Sequence, residues 1–197
     1  MTRISKLEPQ HWDPELRAMT RADDATPLEQ GLMRMFAHRP QLAKGLARFG
    51  GALKVHRTLP DRLVELVRLR VAFHNQCRSC MAIRYRDAVA DGVDETLVCA
   101  LQDPGAGTAL SEAERAALTF ADMFATDHLA ISDATFDNLR QHFSEPDIVE
   151  LGMTVAFFVG FGRLGATLAM TEELPEAFQD PQRTDLSPWG HASIVVR

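Results

Sequence analysis

The chain has 197 residues, with 27 acidic and 21 basic side chains and a formal net charge of −6. This length predicts one domain, or at most two small ones, with a core large enough to fold without disulfides. The molecule as a whole lacks the basic charge balance that binding to phosphate backbones requires, so we expect no nucleic-acid partner.

Targeting and membrane signals are weak in this sequence. The first residues contain no apolar stretch typical of a signal peptide, and the longest apolar run, residues 151–162, is shorter than the roughly 20 residues of a membrane span. That run therefore predicts a buried core helix. The three cysteines, Cys77, Cys80 and Cys99, are odd in number and too few for a secreted disulfide framework. We expect a cytoplasmic protein with no membrane partner.

Apolar residues recur with helical spacing along most of the chain, and strand patterns are nearly absent. The sequence therefore predicts an all-α bundle of about eight helices. In chain order, the predicted helices begin near Asp13 and then cover residues 26–39, 40–55, 60–73, 77–90, 93–101, 111–125, 132–143 and 145–171. We divide the chain into an N-terminal segment, residues 1–25, an all-α domain, residues 26–172, and an extended C-terminal tail, residues 173–197.

Capping and breaking residues support these boundaries. Thr26 with Glu29, and Ser111 with Glu114, have the spacing of capping boxes, in which each side chain accepts from the other residue's backbone amide. Two more boundaries are a break at residues 74–76 and a linker at residues 103–107. The tail has three prolines and few apolar residues, so we expect a loose terminus, with wrapping around a neighbouring subunit as the alternative.

Glu65 stands out in the helix predicted over residues 60–73. That helix is apolar around most of its circumference, which indicates a central position, and Glu65 is the only carboxylate between residues 63 and 73. A carboxylate among apolar residues is paired, protonated or functional. An ion pair with Arg68 and a role as proton acceptor for the nearby cysteines are both open.

Cys77-Arg78-Ser79-Cys80 is the strongest chemical motif. Two thiols three residues apart share one helix face and are close enough to form a disulfide. If the helix starts after the break, both sulfurs lie in its first turn, where free amides and the helix dipole favour a thiolate. Arg84, one turn beyond Cys80, would add a fixed positive charge on the same face.

Glu65, Cys77 and Cys80, with eleven residues between the glutamate and the first cysteine, resemble the signature of the carboxymuconolactone decarboxylase superfamily, in particular its alkylhydroperoxidase AhpD-like branch. Segments similar to that family are residues 59–72, 110–118 and 131–136, and the resemblance covers roughly residues 28–170. It implies an AhpD-like all-α bundle that assembles into homo-oligomers, as trimers or hexamers.

The resemblance also implies a thiol peroxidase with an antioxidant role. On that pattern Cys80 is the thiolate that attacks the peroxide, Cys77 is the resolving thiol, and Glu65 starts a proton relay. An external dithiol partner then reduces the disulfide, and we expect neither a cofactor nor a metal. The peroxidase branch carries a histidine four residues after the second cysteine, where this chain has Arg84, and a guanidinium cannot take up a proton. His74, three residues before Cys77, is the candidate substitute.

Other interpretations of these residues stay open. The cysteine pair is either reactive or buried and inert, and with His74 and Cys99 it could supply four zinc ligands, although we expect Cys99 in the core of its helix. The alternative functions are a lyase of the decarboxylase branch acting on a small anionic substrate, with arginines as carboxylate clamps, and a non-catalytic redox-sensing oligomer.

Two further patterns need an interpretation. Residues 160–165 match the dinucleotide pattern GxGxxG, but no strand precedes them, so we interpret these glycines as points of close helix contact. Seven arginines and two carboxylates lie between residues 57 and 86, a local excess of five positive charges. This excess fits thiolate stabilisation or an anionic substrate.

Overall fold

The computed structural model describes residues 2–106, 109–180, 183 and 186–197. Within these ranges it contains eleven α-helices and one two-stranded sheet, which confirms the prediction of an all-α architecture. The helices are α1 Pro14–Met19, α2 Pro27–Gln30, α3 Met33–Phe36, α4 Pro40–Val55, α5 Asp61–Asn75, α6 Arg78–Ala82, α7 Arg86–Ala90, α8 Glu95–Ala100, α9 Glu112–Thr126, α10 Asp133–Arg140 and α11 Glu145–Leu168. The strands are β1 Ile83–Tyr85 and β2 Ile194–Val196.

α5 lies at the centre of the fold, as its apolar circumference predicted. It packs against both α9 and α11. The fully buried residues of this core include Leu66, Val67 and Leu69 of α5, Leu118 of α9 and Val155 of α11. The helix continues to Asn75 and ends where Gln76 adopts a left-handed backbone with φ of 50°. The predicted break between residues 74 and 76 is therefore confirmed, and Cys77 follows it directly as the N-cap residue of α6.

Two of the predicted helices are interrupted, which is why the described residues hold more helices than expected. Gly31, with φ of 52°, separates α2 from α3 within the segment predicted as one helix. The helix predicted over residues 77–90 is also wrong, because it is divided into α6, β1 and α7. β1 forms because it pairs in parallel with β2, with Arg84 opposite Val195. A partner more than 100 residues away leaves no local pattern in the sequence of β1.

The helix starts agree better with the sequence. Both capping boxes are present, Thr26 with Glu29 at α2 and Ser111 with Glu114 at α9. Asp13 caps α1 through hydrogen bonds from the amides of the next turn. The linker predicted over residues 103–107 extends outside the described residues at position 107.

The C-terminal tail packs back onto its own chain, so the expectation of a loose terminus is wrong. Leu174, Phe178 and Leu186 are buried in a cluster with Met81 and Ala82 of α6. β2 then adds the last residues to β1. The tail is therefore part of the same folded unit as the cysteine motif.

α11 is a core helix on one face and exposed on the other. Its buried face, which includes Leu151, Val155 and Val159, joins the main core. By length and composition α11 could cross a membrane, but 39% of its most apolar stretch is buried inside the protein, and a core helix passes the same test. The exposed face carries apolar side chains, among them Val149 and Met153.

Candidate active site at the Cys77 and Cys80 pair

The two cysteines are joined in a disulfide, and their Cα atoms lie 5.2 Å apart. Cys77 is the first residue after the turn at Gln76 and is fully buried, with its Sγ atom 3.6 Å from Ser79 Oγ. Cys80 lies inside the short helix α6 and is only partly buried. The two sulfurs are therefore in bonding contact, as the spacing predicted. The two cysteines differ in burial, because Cys77 is fully buried and Cys80 is only partly buried.

Cys80 lines a cavity of about 460 Å³. The polar side chains around it are Thr20, Glu29, Gln30, Arg68, Asn75, Ser79 and Tyr85, and its aromatic walls include Phe36, Phe157, Phe158 and Phe161. Most of the remaining lining is aliphatic, from helices α1 to α5 and from α11. A large, mostly apolar cavity with a few polar groups is the usual form of a small-molecule site.

Glycines of α11 allow this helix to approach the cysteine motif closely. A Cβ atom at Gly162 would lie 2.5 Å from Nδ2 of Asn75, and one at Gly165 would lie 2.8 Å from Leu32 and 3.5 Å from the Cys77 sulfur. This confirms close packing for Gly162 and Gly165, whereas a Cβ atom at Gly160 would meet nothing within 4 Å, so that part of the interpretation is wrong.

Glu65 is buried and forms an ion pair with Arg68, which confirms one of the two open interpretations. The guanidinium donates from Nε to Oε2 at 2.7 Å and from Nη2 to Oε1 at 2.8 Å, and the Tyr85 amide also donates to Oε1 at 3.1 Å. Burial opposes the charge on Arg68, but the contact with Glu65 outweighs it and raises the pKa of Arg68 above its usual value.

Arg68 connects this ion pair to Cys80. Its Nη1 atom donates to the carbonyl oxygen of Cys80 at 2.6 Å, and its Nη2 atom donates to that of Ile83 at 2.9 Å. The guanidinium also lies 4.9 Å from the centre of the Tyr85 ring and lines the cavity. Arg68 is therefore the cation that the fold places beside Cys80.

Arg84 does not lie on the helix face of Cys80, so that expectation is wrong. It belongs to β1, and its buried guanidinium pairs with Glu95 and donates to the carbonyl oxygens of Met81 and Pro188 at 2.9 and 2.6 Å. Burial lowers the pKa of Arg84, and Glu95 offsets part of this effect. Through these contacts Arg84, held in β1, connects α8, α6 and the C-terminal tail.

His74 is held on the side of α5 that faces α9. Its Nε2 atom lies 2.6 Å from Oδ1 of Asp122, which also accepts from Arg70 at 2.7 Å. Burial opposes the charge on Asp122, but the contacts with His74 and Arg70 outweigh it and hold the pKa of this carboxyl below its usual value. His74 is not among the residues that line the cavity of Cys80, so the fold does not bring it to the site.

Most of the arginines between residues 57 and 86 are neutralised by carboxylates. The ion pairs are Arg57 with Asp61, Arg62 with Glu114, Arg68 with Glu65, Arg70 with Asp122, and Arg84 with Glu95. Among these arginines, only Arg68 lines the cavity of Cys80 in the described part of the chain. The local positive charge is therefore used mainly to hold helices together.

Cys99 is exposed, contrary to the expectation of a core position. Within the described ranges, no group of three or more His, Cys, Asp and Glu side chains is arranged to hold a metal ion.

Sequence reasoning missed Tyr85 and the phenylalanines of the cavity. Tyr85 is the only tyrosine in the chain, and this rarity was the one available signal. The phenylalanines lie on α3 and α11, which are far apart in sequence, so no local spacing pointed to a shared cavity.

Solved structures share this fold. The alkylhydroperoxidase AhpD core of an uncharacterized peroxidase-related protein from Ralstonia eutropha JMP134 matches with a TM-score of 0.73 and 20% identity, over 90% of this chain and 94% of that chain. The debrominase Bmp8 matches with a TM-score of 0.68 and 21% identity, over 91% of this chain and 95% of that chain. A cysteine-to-alanine variant of Bmp8 is known in complex with 2,3,4-tribromopyrrole. The fold therefore defines an AhpD-like helical protein with a cysteine pair.

Residues 40–123 match the carboxymuconolactone decarboxylase family. An uncharacterized protein found in two strains of Mycobacterium tuberculosis is 35% identical over 97 residues, which make up 48% of this chain. The match spans about a third, 34%, of the length of these curated relatives. Residues 40–123 are therefore similar to the carboxymuconolactone decarboxylase family, and the chain as a whole has an AhpD-like fold.

Proposed function

We propose that this chain is a cytoplasmic thiol-dependent oxidoreductase that reduces an apolar hydroperoxide through Cys80 and Cys77. The observation that carries the proposal is the difference between the two sulfurs. Cys80 lines a cavity of about 460 Å³, whereas Cys77 is fully buried and within disulfide reach. A substrate in the cavity meets Cys80 first, so Cys80 is the attacking thiol and Cys77 the resolving thiol.

The two cysteines together complete a redox cycle. The Cys80 thiolate attacks the terminal oxygen of the hydroperoxide, so an S–O bond forms, the O–O bond breaks and an alkoxide leaves, to be protonated to the alcohol. The Cys77 thiol then attacks the sulfenic acid, and the disulfide forms with release of water. An external dithiol reduces this disulfide and is itself oxidised.

Arg68 takes the electrostatic role that the sequence suggested for Arg84. Its guanidinium lines the same cavity as Cys80 and is anchored on the Cys80 carbonyl oxygen, so the Arg68–Glu65 ion pair sets the electrostatic surroundings of the attacking residue. We assign Glu65 a positioning role, because its carboxylate holds this guanidinium through two hydrogen bonds.

The cavity walls favour an apolar substrate. Phe36, Phe157, Phe158 and Phe161 contribute aromatic surface, and the volume exceeds what hydrogen peroxide needs. The same aromatic walls support a second candidate, the reductive debromination of a flat aromatic compound, which the fold likeness to the debrominase Bmp8 suggests. The lyase alternative is less favoured, because most of the arginines of its carboxylate clamp are engaged in ion pairs.

Substitution of single cysteines tests the proposal. With cumene hydroperoxide and a dithiol reductant, we expect turnover by the native chain, no turnover by Cys80→Ser, and a single oxidation without turnover by Cys77→Ser. Cys99→Ser, which changes the exposed cysteine outside the site, is the matched control and should keep native turnover. Equal turnover by native and Cys80→Ser chains would overturn the thiol mechanism.

The same variants separate the alternatives. Bromide release from a bromopyrrole, dependent on Cys80 and without peroxide consumption, would favour the debrominase candidate. Oxidation of the pair by peroxide without turnover would favour the redox-sensing oligomer.

We also propose that copies of this chain assemble through the exposed face of α11, as a trimer or hexamer. Val149, Met153 and Leu164 share this face and are 60%, 46% and 41% exposed. An apolar strip bordered by polar residues is typical of a protein interface, and the net charge of −6 disfavours an anionic membrane surface as the partner.

The oligomer is tested by sedimentation velocity. Met153→Asp should shift the chain to monomer, whereas Leu129→Asp, at a site that is 84% exposed outside α11, should not. A native monomer, or an oligomer that survives Met153→Asp, would contradict the interface.

A further inference from the structure

A hydroperoxide reduced at Cys80 leaves behind an alkoxide that requires a proton. An alkoxide is a strong base, so a positioned acid lowers the barrier to breaking the O–O bond. The family's histidine is replaced by Arg84, which is turned away into β1, and His74 pairs with Asp122 on the α9 side. A side chain that supplies this proton must therefore be a different residue of the cavity lining.

We propose that Tyr85 is a catalytic residue of this chain, whose hydroxyl donates the proton to the oxygen leaving from the hydroperoxide at Cys80. This inference rests on the proposed function and assigns a residue to one of its steps. It follows from the side chains that line the cavity and from the position of the Tyr85 ring.

The other titratable groups of the cavity cannot supply this proton. Apart from Cys80, the titratable side chains that line it in the described residues are Glu29, Arg68 and Tyr85. Glu29 accepts from the amides of Thr26 and Arg197, which lower its pKa to about 2, so it carries no proton near neutral pH. Arg68 does not release a proton at neutral pH. The hydroxyl of Tyr85 is the group that remains.

Tyr85 is held in place from two directions. Its backbone amide donates to Glu65 at 3.1 Å, and its ring lies under the Arg68 guanidinium, 4.9 Å from the ring centre. Arg68 also anchors the Cys80 carbonyl at 2.6 Å. One guanidinium therefore contacts both the attacking residue and the proposed acid.

Tyr85 also has a route by which to regain its proton. It is 36% exposed and also lines a second cavity of about 270 Å³. The charged residues of that cavity are Lys54, Arg57, Asp61, Glu65, Asp87 and Arg197. Water in such a polar space can return a proton to the phenolate between turnovers.

The step balances as follows. The Cys80 thiolate, the hydroperoxide and the Tyr85 phenol become the Cys80 sulfenic acid, the alcohol and the Tyr85 phenolate. One S–O bond forms, the O–O bond breaks, the sulfur is oxidised by two electrons, and the phenolic proton moves to the leaving oxygen. Solvent then protonates the phenolate.

The test compares two oxidants on Tyr85→Phe, which keeps the ring on Arg68 and removes the hydroxyl. Attack on tert-butyl hydroperoxide releases an alkoxide, which requires a proton. Attack on peracetic acid releases acetate, which is stable without one. We expect the rate of Cys80 oxidation by tert-butyl hydroperoxide to fall by about 100-fold and the rate with peracetic acid to stay within about twofold of the native rate.

The outcomes separate this inference from the function on which it rests. Equal loss of rate with both oxidants would mean a structural role for Tyr85, and no loss with tert-butyl hydroperoxide would mean that the hydroxyl is not used. Either result overturns the inference. If the native Cys80 reacts with neither oxidant, the proposed function itself fails.

Discussion

The two sides of the cysteine motif are built in different ways. On one side the C-terminal tail covers the backbone around α6, where the carbonyl oxygens of Leu186, Arg183 and Pro188 accept hydrogen bonds from Gln76, Arg78 and Arg84. On the other side the helices leave a cavity beside Cys80. The comparison shows that packing decides which cysteine of the Cys-x-x-Cys motif lines the cavity and which is buried.

The largest expected effect comes from breaking the tail side. Phe178 is 1% exposed and packs in the cluster of the tail with α6, so Phe178→Ala should lower the free energy of unfolding by about 3–5 kcal/mol. Phe161→Ala, on the cavity side at 36% exposure, should cost about 1 kcal/mol. Urea denaturation measures both variants. Equal losses would mean that the tail is not part of the core.

The buried ion pair beside the cavity gives the second effect. Glu65→Gln leaves the Arg68 guanidinium buried without its counter-charge, so we expect a loss of about 3 kcal/mol in the free energy of unfolding. Glu145→Gln, which removes an exposed partner of Arg140, should cost less than about 1 kcal/mol. A Glu65→Gln variant as stable as the native chain would show that Arg68 is held by its carbonyl contacts alone.

A pair of glycines tests how closely α11 must approach the motif. Gly162→Ala places a methyl group against Asn75, which is fixed by hydrogen bonds to the Phe158 carbonyl and to Arg163, and should cost about 2 kcal/mol. Gly45→Ala, in the middle of α4 with open space around it, should stabilise by up to about 1 kcal/mol. Thermal unfolding separates the two, and a neutral Gly162→Ala would indicate slack between α5 and α11.

The smallest expected effect depends on pH. The pKa of Glu29 is lowered from 4.5 to about 2 by backbone amides of Thr26 and Arg197. Its contribution to stability is therefore present above pH 4.5 and lost as the pH falls towards 2. Glu29→Gln should cost about 1 kcal/mol at pH 7, with the difference from the native chain shrinking at low pH. Glu112→Gln, which changes an exposed first-turn carboxylate of α9, is the control at pH 7 and should cost less than Glu29→Gln.

The pairing of the cysteines and the helix starts could be predicted, because both depend on neighbours a few residues apart. Thr26 and Ser111 cap their helices through residues three positions on. Arg84 could not be placed in this way, because its strand exists only through pairing with β2 near the C-terminus. Local spacing suggested a helix there, and a distant partner overrode it.

The sequence by itself determined an all-α architecture, a central α5 and a Cys-x-x-Cys pair near a buried glutamate, since helical periodicity and motif spacing are local properties. Only the tertiary structure decided that Cys80 faces the cavity, that Arg68 and Tyr85 lie beside it, and that Arg84 and His74 are engaged elsewhere. These positions depend on contacts between helices and a tail far apart in the chain, and such contacts leave no periodic trace in the sequence.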